Sequence, residues 1–567
     1  MAPIPAMRAV WFALVLSICM AGAAHAQGIF EQGGTLHQDS SALLRWKLKP
    51  GVAERLNLEM IRIYRVRTGD ELGFGKKSLE QVAERDVDGE YTVERLENGQ
   101  QYAFILRAVD ASGTEHGQAL LMAYPGEDGE GPPPAVKNLY AAPGAVGVGV
   151  FWDRRREVDI KGYEVARKRP GDPSYRIIAR LPRVTKAGQW TRAATGKMAN
   201  APMIRPTMYL DTKAEKGGEY IYRVQAVDLD GNLGEPAEVR TTGKTAPRSP
   251  RFDEVLLLVR ARDGSSRHVA EEYARARNVP ESNIVEFYIP EDRYDFGYER
   301  HLAEPLREHL LENGLAGKIR VLVPCYRMPR STGARSVDSM LSDLFGRYTW
   351  GRVMGTPSPL FRSDNHFDPA LGMYLVTRLD GPDEETALSL FEKARIAERR
   401  VTPASGDAYF VQDEKGRRMA KIVEKYGVES VLHGRLHTRE NQVPDGTMWL
   451  FAWGHDYIRL RDTPWPDGSV AAFLKSNSFG TLRKENGRPS WVQGLLQEGV
   501  TATFGSVVEP YVQGFTRGDI FFDRFLSGRY SFAEAYGMAT PTVRWAMSAV
   551  GDPLYRLDSW QAAGEAR

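Results

Sequence analysis

Two breaks rich in proline and glycine constrain this chain more than any other feature, because they divide it into stretches that fold separately. They cover residues 125–135 and 243–251. Neither break can hold a helix or an interior strand. We therefore predict a multidomain protein with domains over residues 27–124, 136–242 and 252–567, and the two breaks are its linkers.

The first two domains share one pattern of short runs in which apolar and polar residues alternate. The runs lie at 42–46, 60–66 and 102–110 in the first domain and at 146–153, 162–167 and 220–228 in the second. Such alternation is typical of half-buried strands, and this spacing indicates a sandwich of about a hundred residues. The pattern predicts two all-β, immunoglobulin-like sandwiches that form an internal repeat.

Both repeats place a tryptophan on an early strand, Trp46 and Trp152, and end in a late strand of the form Tyr-x-x-x-Val/Leu-x-Ala-Val-Asp before a glycine turn. In these residues they resemble fibronectin type III domains, the second copy more closely, although its insert at 184–206 departs from a minimal domain. The resemblance implies spacers or adhesion surfaces. It also implies that the tryptophans are core residues rather than a ligand platform.

The third domain changes to apolar, β-branched runs separated by helical patterns. Strands are predicted at 254–261, 284–290, 319–324, 374–378, 408–411, 448–453 and 501–508, and helices at 265–277, 298–313, 383–400 and 416–425. The first of these helices is expected to be capped by Ser265 or Ser266. This alternation predicts an α/β domain with a mostly parallel sheet, whose functional site lies at the carboxyl ends of the strands.

The amino terminus has the layout of a signal peptide. Arg8 precedes an apolar run at 9–18, and Ala24 and Ala26 fit the cleavage preference of a signal peptidase, which predicts removal of residues 1–26. A lipid anchor at Cys19 is the less favoured alternative. We expect an exported protein, periplasmic or secreted, with no transmembrane segment after cleavage.

Charge and cysteine content narrow the function classes further. The chain carries 75 basic and 73 acidic side chains, a formal charge of +2, which argues against a nucleic-acid partner. After cleavage Cys325 is the one remaining cysteine, so no disulfide can form within the chain. A buried, inert Cys325 is favoured over a reactive thiol.

Four strings of the third domain, at 335–341, 375–382, 504–510 and 550–553, are similar to an uncharacterised family of exported bacterial proteins. That resemblance covers residues 252 to 556 and implies no established activity.

A more distant resemblance is to the caspase-like cysteine peptidases, the gingipains especially. In that fold one strand ends in Gly-His and the next ends in the catalytic cysteine. Here Gly454 and His455 follow a strand, whereas the next strand is followed by Ser476 and Ser478 without a cysteine. The resemblance implies a catalytic pair of His455 with Ser478 or Ser476, oriented by Asp456 or Glu509, or else a domain that has lost catalysis.

Three further residues, Arg335, Asp338 and Arg378, are hypothesised to bind substrate. The alternative is structural, with Ser336 capping a helix and the charges forming an ion pair.

Two metal-ligand patterns are weak. His433 and His437 lack the glutamate of a zinc-protease helix, and the cluster at 364–368 lacks the glycine and glutamate of a calcium loop. We expect no metal and no cofactor.

Two functions of different kinds follow from these patterns. The first is an exported binding or scaffold protein, with a catalytically degenerate caspase-like α/β domain, whose partner is a protein or polysaccharide of the cell envelope. The alternative is a hydrolase that acts on peptide or acyl bonds through a Ser/His pair.

Overall fold

The computed structural model describes residues 29–66, 79–98, 102–123, 125–126, 131–153, 160–182, 191–192, 207–228, 230–290, 296–348, 355–433, 443–453, 465–483 and 489–557. Two β-sandwiches precede an α/β domain that contains parallel strands, so the predicted fold class is confirmed at this level. Among these residues, no helix has both the length and the apolarity that a membrane span requires.

The first sandwich packs two antiparallel sheets. Its strands are β1 Phe30–Gln38, β2 Ser41–Leu48, β3 Leu58–Val66, β4 Leu79–Arg85, β5 Gly89–Val93, β6 Tyr102–Asp110 and β7 Glu115–Ala123, and a short helix, α1, covers Val52–Arg55. One sheet has the order β1-β2-β5 and the other β4-β3-β6-β7. Alternate residues of β2 are buried, Trp46 among them, as predicted for a core residue.

The second sandwich repeats this arrangement. Its strands are β8 Tyr140–Pro143, β9 Val148–Phe151, β10 Ile160–Lys168, β11 Arg176–Pro182, β12 Thr191–Arg192, β13 Met208–Asp211, β14 Glu219–Asp228 and β15 Ala237–Thr242. The sheets have the orders β13-β9-β8 and β11-β10-β14-β15. Trp152 is buried in the core against the ring edge of Tyr163. Of the insert at 184–206, the described pair β12 adds to β1 of the first sandwich.

The α/β domain contributes the remaining elements. Its strands are β16 Val255–Arg260, β17 Ile284–Phe287, β18 Val321–Pro324, β19 Ser331–Thr332, β20 Arg335–Ser336, β21 Thr356–Pro357, β22 Leu375–Val376, β23 Asp407–Val411, β24 Ser430–His433, β25 Thr447–Trp453, β26 Val470–Leu474, β27 Thr503–Ser506, β28 Thr542–Val543 and β29 Met547–Val550. Its helices are α2 Gly264–Arg277, α3 Glu304–Glu312, α4 Val337–Leu341, α5 Glu384–Arg400, α6 Glu414–Val423, α7 Trp491–Gln497, α8 Tyr511–Gly514, α9 Gly518–Leu526 and α10 Phe532–Ala539.

Two groups of four parallel strands form the sheet, and both have the same internal order. The first group is β17-β16-β18-β22 and the second is β24-β23-β25-β26, so in each group the first strand in sequence lies between the second and the third. Parallel bridges join Arg378 to Val550 and Val470 to Ala502. Because β27 and β29 pair antiparallel between these bridges, the two groups run in opposite directions.

Helices cover both faces of the sheet. Successive residues of β16 enter different cores: Val255, Leu257 and Val259 face one, and Leu256 and Leu258 face the other. This is why the strand is a continuous apolar run instead of an alternating one.

Two helices differ from the sequence prediction at their amino-terminal ends. Helix α2 is capped by Asp263, whose side chain accepts a hydrogen bond from the Ser266 amide, rather than by Ser265 or Ser266. The helix predicted over 298–313 begins as a π-turn at Glu299–Ala303 and becomes α-helical only at Glu304. Pro305 explains the change, because proline donates no amide hydrogen bond to the preceding turn.

The second sandwich is fastened to the α/β domain by a buried arginine. The Nη1 atom of Arg347 donates to the Trp152 carbonyl at 2.8 Å and to the Thr207 hydroxyl at 2.9 Å. Its guanidinium also lies near the rings of Tyr140 and Phe345. The two domains therefore share one continuous packed interface.

A close backbone approach completes this interface. A Cβ atom at Gly149 would lie 2.5 Å from the Ala370 carbonyl oxygen, so only glycine lets the strand come this near. Beside it, Asp368 accepts a hydrogen bond from the Val146 amide at 2.8 Å. The sandwich is held at this face and does not act as a loosely tethered spacer.

Candidate functional site

The candidate catalytic residues His455, Ser476 and Ser478 all follow strands of the second group at its carboxyl edge. Strands β25 and β26 are parallel neighbours, and their last residues, Trp453 and Leu474, lie opposite each other. His455 and Ser476 are each the second residue after these ends. His455 and Asp456 lie outside the described residues, so their catalytic roles stay predictions.

Ser476 and Glu509 meet at this edge. The Ser476 hydroxyl donates to the Glu509 carboxylate, and the other carboxylate oxygen of Glu509 accepts the Tyr511 amide at 2.7 Å. Glu509 is exposed and Ser476 is half-buried. Tyr511 has a φ of 51°, a conformation that non-glycine residues adopt rarely and that is enriched at functional sites. This pair was not predicted, since Glu509 was expected to orient His455.

Ser478 occupies a different environment from Ser476. It is 2% exposed, and its hydroxyl oxygen accepts a hydrogen bond from the Ser506 amide at 3.0 Å. A Cβ atom at Gly505 would lie 2.7 Å from this oxygen, so β27 packs directly against the hydroxyl. The structure therefore makes Ser476 the more accessible of the two serines, and the predicted nucleophilic role of Ser478 stays a prediction.

A tryptophan and an aspartate near the same edge were missed by the sequence reasoning. The Trp453 indole nitrogen donates to the Asp413 carboxylate at 2.9 Å, and Asp413 also caps helix α6 through the Gly416 amide. Lys415 lies over the Trp453 ring. The available signal was an aspartate placed between a buried strand and a helix, which is a common position for a cap.

Two of the three predicted substrate-binding residues form a buried ion pair in the first strand group. Arg378 is 0% exposed and Asp338 is 2% exposed, and their nearest side-chain atoms are 2.9 Å apart. The remaining Arg378 donors reach the Met328 and Pro329 carbonyls and Asp380. With its donors engaged inside the protein, Arg378 has a well-defined structural role. A role in substrate binding stays a prediction for both residues.

Asp380 extends this network and was also missed. It is buried, accepts from Arg378 at 2.9 Å, and forms a second ion pair with Arg483. Arg483 in turn lies over the Tyr326 ring at 4.7 Å. The sequence signal for the pairing of Asp380 with Arg378 is their separation of two residues. The pairing of Asp380 with Arg483 could not be predicted, because Arg483 is distant in sequence.

Arg335 has different side-chain contacts from Asp338 and Arg378. It is half-buried, and the side-chain contact that the structure gives it is to the Met340 sulfur at 4.0 Å. Burial lowers the pKa of Arg335, and the nearby charge of Arg544 lowers it further. Ser336, next to it, caps α4 through the Ser339 amide, as the structural alternative predicted.

Cys325 is the buried thiol that the sequence favoured. It is 0% exposed at the end of β18, and its sulfur contacts the Val323 carbonyl. Burial raises the pKa of the thiol well above its ordinary value. A thiol in this state is a poor nucleophile because the thiolate is the reactive form.

The weak metal-ligand patterns have other uses where the structure describes them. In the cluster at 364–368, Asp364 pairs with Arg524, His366 contacts Glu534, and Asp368 caps a short 3₁₀ helix. His433 ends β24, and His437 lies outside the described residues. No group of three His, Cys, Asp or Glu side chains is arranged for a metal in the part of the chain that the structure covers.

Comparison with known proteins gives no family assignment. No family model matches the chain, and no curated protein matches it. Similar solved structures include the chicken CNTN1 FN1-FN3 domains, at 13% identity over 38% of this chain and 66% of that one, with a TM-score of 0.16. A two-domain fibronectin type III segment from chicken tenascin has 14% identity, covers 38% of this chain and 99% of that one, and has a TM-score of 0.16.

The Clostridium perfringens spore cortex lytic enzyme SleM is also similar over a part of the chain. It has 22% identity, covers 20% of this chain and 28% of that one, and has a TM-score of 0.14. At TM-scores this low, none of these similarities supports a functional argument. The two sandwiches are identified by their strand order and their cores.

Proposed function

We propose that this chain is an exported binding or scaffold protein, periplasmic or secreted, whose α/β domain has a caspase-like arrangement and is catalytically degenerate. Its partner is a protein or polysaccharide of the cell envelope. Export rests on the signal-peptide layout of residues 1–26. The caspase-like arrangement is supported by the positions of Gly454 and His455 after β25 and of Ser476 and Ser478 after the neighbouring parallel strand β26.

The observation that carries the proposal is the chemistry after the fourth strand of that group, β26. A cysteine peptidase of this kind needs a thiol there. This chain has Ser476, engaged by Glu509, and the buried Ser478, while Cys325 is buried in the other strand group. A hydroxyl is far less acidic than a thiol, so it needs an adjacent base before it can attack a carbonyl. The absence of a thiol at this position favours binding over catalysis.

The proposed binding to a protein or polysaccharide of the cell envelope is tested with the mature chain, residues 27–567, carrying a fluorescent label. It is mixed with isolated envelope fractions that have been left intact, digested with protease or oxidised with periodate. We expect retention on the intact fraction and loss after one of the two treatments, which identifies the partner as protein or polysaccharide. Absence of binding to the intact fraction would refute a binding role in the envelope.

The proposal that the α/β domain is catalytically degenerate is tested with a fluorophosphonate probe and a fluorogenic peptide library. We expect neither labelling nor turnover by the mature chain beyond the level of its Ser476→Ala and Ser478→Ala variants. Ser112→Ala, in an exposed turn of the first sandwich, is the matched control. Labelling that disappears in one site variant but persists in the control would replace the binding proposal with the hydrolase.

One specific observation keeps the hydrolase as the second candidate. Trp453 and Leu474 end neighbouring parallel strands opposite each other, so His455 and Ser476 each follow the same edge of the sheet by two residues in the sequence. A histidine within hydrogen-bond reach of a serine is the arrangement that hydroxyl nucleophiles require. In this candidate Glu509 holds the serine and Asp456 is left to orient the imidazole.

A further inference from the structure

Arg335 and Arg544 lie on neighbouring segments of the α/β domain. The Ser336 amide donates to the Trp545 carbonyl at 2.6 Å, and the Arg544 amide donates to the Ser339 carbonyl at 2.8 Å. These bonds hold the segment around residue 544 along the start of helix α4. Arg335 directly precedes Ser336, and Arg544 directly precedes Trp545. The hydrogen bond between Ser336 and Trp545 therefore brings the backbones of the two arginines close together.

Arg335 has no acidic partner among the residues that the structure describes. Its guanidinium is half-buried, and its recorded side-chain contact is the Met340 sulfur at 4.0 Å, which is a weak acceptor. A cation withdrawn from water without a counter-ion is unfavourable, so buried charges in proteins are normally paired. This arginine thus has donors available for a ligand.

Arg544 is fixed in place and adds to the positive charge. Its Nη1 atom donates to the Asp343 carbonyl at 3.0 Å, whereas the nearest Asp343 carboxylate oxygen is 3.9 Å away. Its backbone has a φ of 58°, which is rare for an arginine. Strained residues of this kind persist where the surrounding structure requires them, often at ligand sites.

The buried hydroxyl of Tyr298 interacts electrostatically with Arg544. Burial raises the pKa of Tyr298, and the charge of Arg544 acts in the opposite direction. Within the described part of the chain the Tyr298 hydroxyl has no hydrogen-bond partner. It is a further unused donor in this region of the domain.

We infer that Arg335 and Arg544 form a binding site for an oxyanion, the carboxylate or phosphate group of a ligand. Guanidinium groups suit such ligands because their planar donors match two oxygen atoms at once. The inference does not rest on the proposed function, because neither Ser476 nor Glu509 is among the residues that carry it. Either proposal can therefore fail without the other.

The test measures the binding of inorganic phosphate and, in a separate arm, of succinate to the mature chain by calorimetry. The variants are Arg335→Gln and Arg544→Gln, and the control is Arg275→Gln, an exposed arginine on helix α2. We expect the wild type and the control to bind one of the two anions, and each site variant to bind it at least tenfold more weakly. Binding of succinate alone would support the site and identify its ligand as a carboxylate.

Two results would overturn the inference. One is the absence of binding by the wild type in both arms, and the other is equal affinity in Arg335→Gln and the wild type. Near-ultraviolet circular dichroism and the thermal unfolding midpoint, both measured without anion, distinguish a folding defect from a loss of anion binding. Since Arg335 has no acidic partner in the described part of the chain and is repelled by Arg544, its replacement should leave that midpoint unchanged or higher, whereas a purely structural arginine would lower it.

Discussion

Arg347 of the α/β domain donates a hydrogen bond of 2.8 Å to the backbone carbonyl of Trp152 in the second sandwich. The carbonyl belongs to the tryptophan at the centre of that sandwich's core. The bond thus links the core of one domain to a buried side chain of the other. It therefore fixes the second sandwich against the α/β domain.

Replacing Arg347 with methionine should weaken this interface. The change removes charge-assisted bonds to Trp152 and Thr207, so we expect a loss of about 2–3 kcal/mol in the free energy of unfolding. Urea denaturation measures it. Arg169→Met, at an exposed pair with Glu215, is the control and should change the free energy of unfolding much less. Equal effects of the two variants would contradict the role of Arg347.

The buried pair of Arg378 and Asp338 should be far more sensitive than a surface pair. Asp338→Asn leaves Arg378 with an uncompensated share of charge in the core, so we expect a loss of about 3–5 kcal/mol. Glu90, the exposed ion-pair partner of Arg45, offers a comparison. Glu90→Gln should lower the free energy of unfolding by less than about 1 kcal/mol. Chemical denaturation of both variants checks the difference, and a small effect of Asp338→Asn would show that water reaches the pair.

Cys325 should react with a thiol reagent only when the protein unfolds. Its sulfur is buried and its pKa is raised by burial, so we expect labelling by Ellman's reagent in native buffer to be at least about a hundredfold slower than in denaturant. The mature chain with Ser112→Cys provides an exposed thiol for comparison. Rapid native labelling of Cys325 itself would disprove its burial.

Glu534 should make stability depend on pH. Burial acts to raise its pKa, but hydrogen bonds from His366 and Ser249 outweigh this, and the pKa lies below its ordinary value. A depressed carboxyl pKa stabilises the fold above the unfolded value, about 4.3, and this stability is lost as the pH falls through the folded pKa.

Glu534→Gln should therefore be less stable than the wild type by about 1–3 kcal/mol at pH 7, and the difference should shrink below about pH 4. Urea denaturation between pH 3 and pH 7 measures this. The exposed Glu219→Gln in the second sandwich should show no such trend. If the difference in the free energy of unfolding between Glu534→Gln and the wild type were the same at every pH, the loss of stability would come from packing of the glutamine and not from the missing charge.

Local pattern was sufficient for several features of the fold. Alternation at 42–46 predicted a strand with Trp46 inside, and the continuous apolar run at 254–261 predicted a further strand. Both are confirmed, because strand periodicity and burial are properties of a few consecutive residues. The cap at Ser336 and the buried thiol of Cys325 are local in the same sense.

Contacts between distant segments could not be predicted in this way. The pairing of Arg347 with Trp152, of Ser476 with Glu509, and of Asp380 with Arg483 joins residues that only the packed sheet brings together. Asp338 and Arg378 were singled out for binding, yet whether a charge faces a ligand or another charge depends on what packs over it.

The sequence by itself determined the division into sandwiches and an α/β domain, the apolar strands and the absence of a cysteine after β26. The tertiary structure alone decided which serine is accessible, which arginines are neutralised and which face of the second sandwich is covered. The physical reason is that periodicity acts over a few residues, whereas desolvation and charge pairing depend on neighbours that the chain supplies from far away.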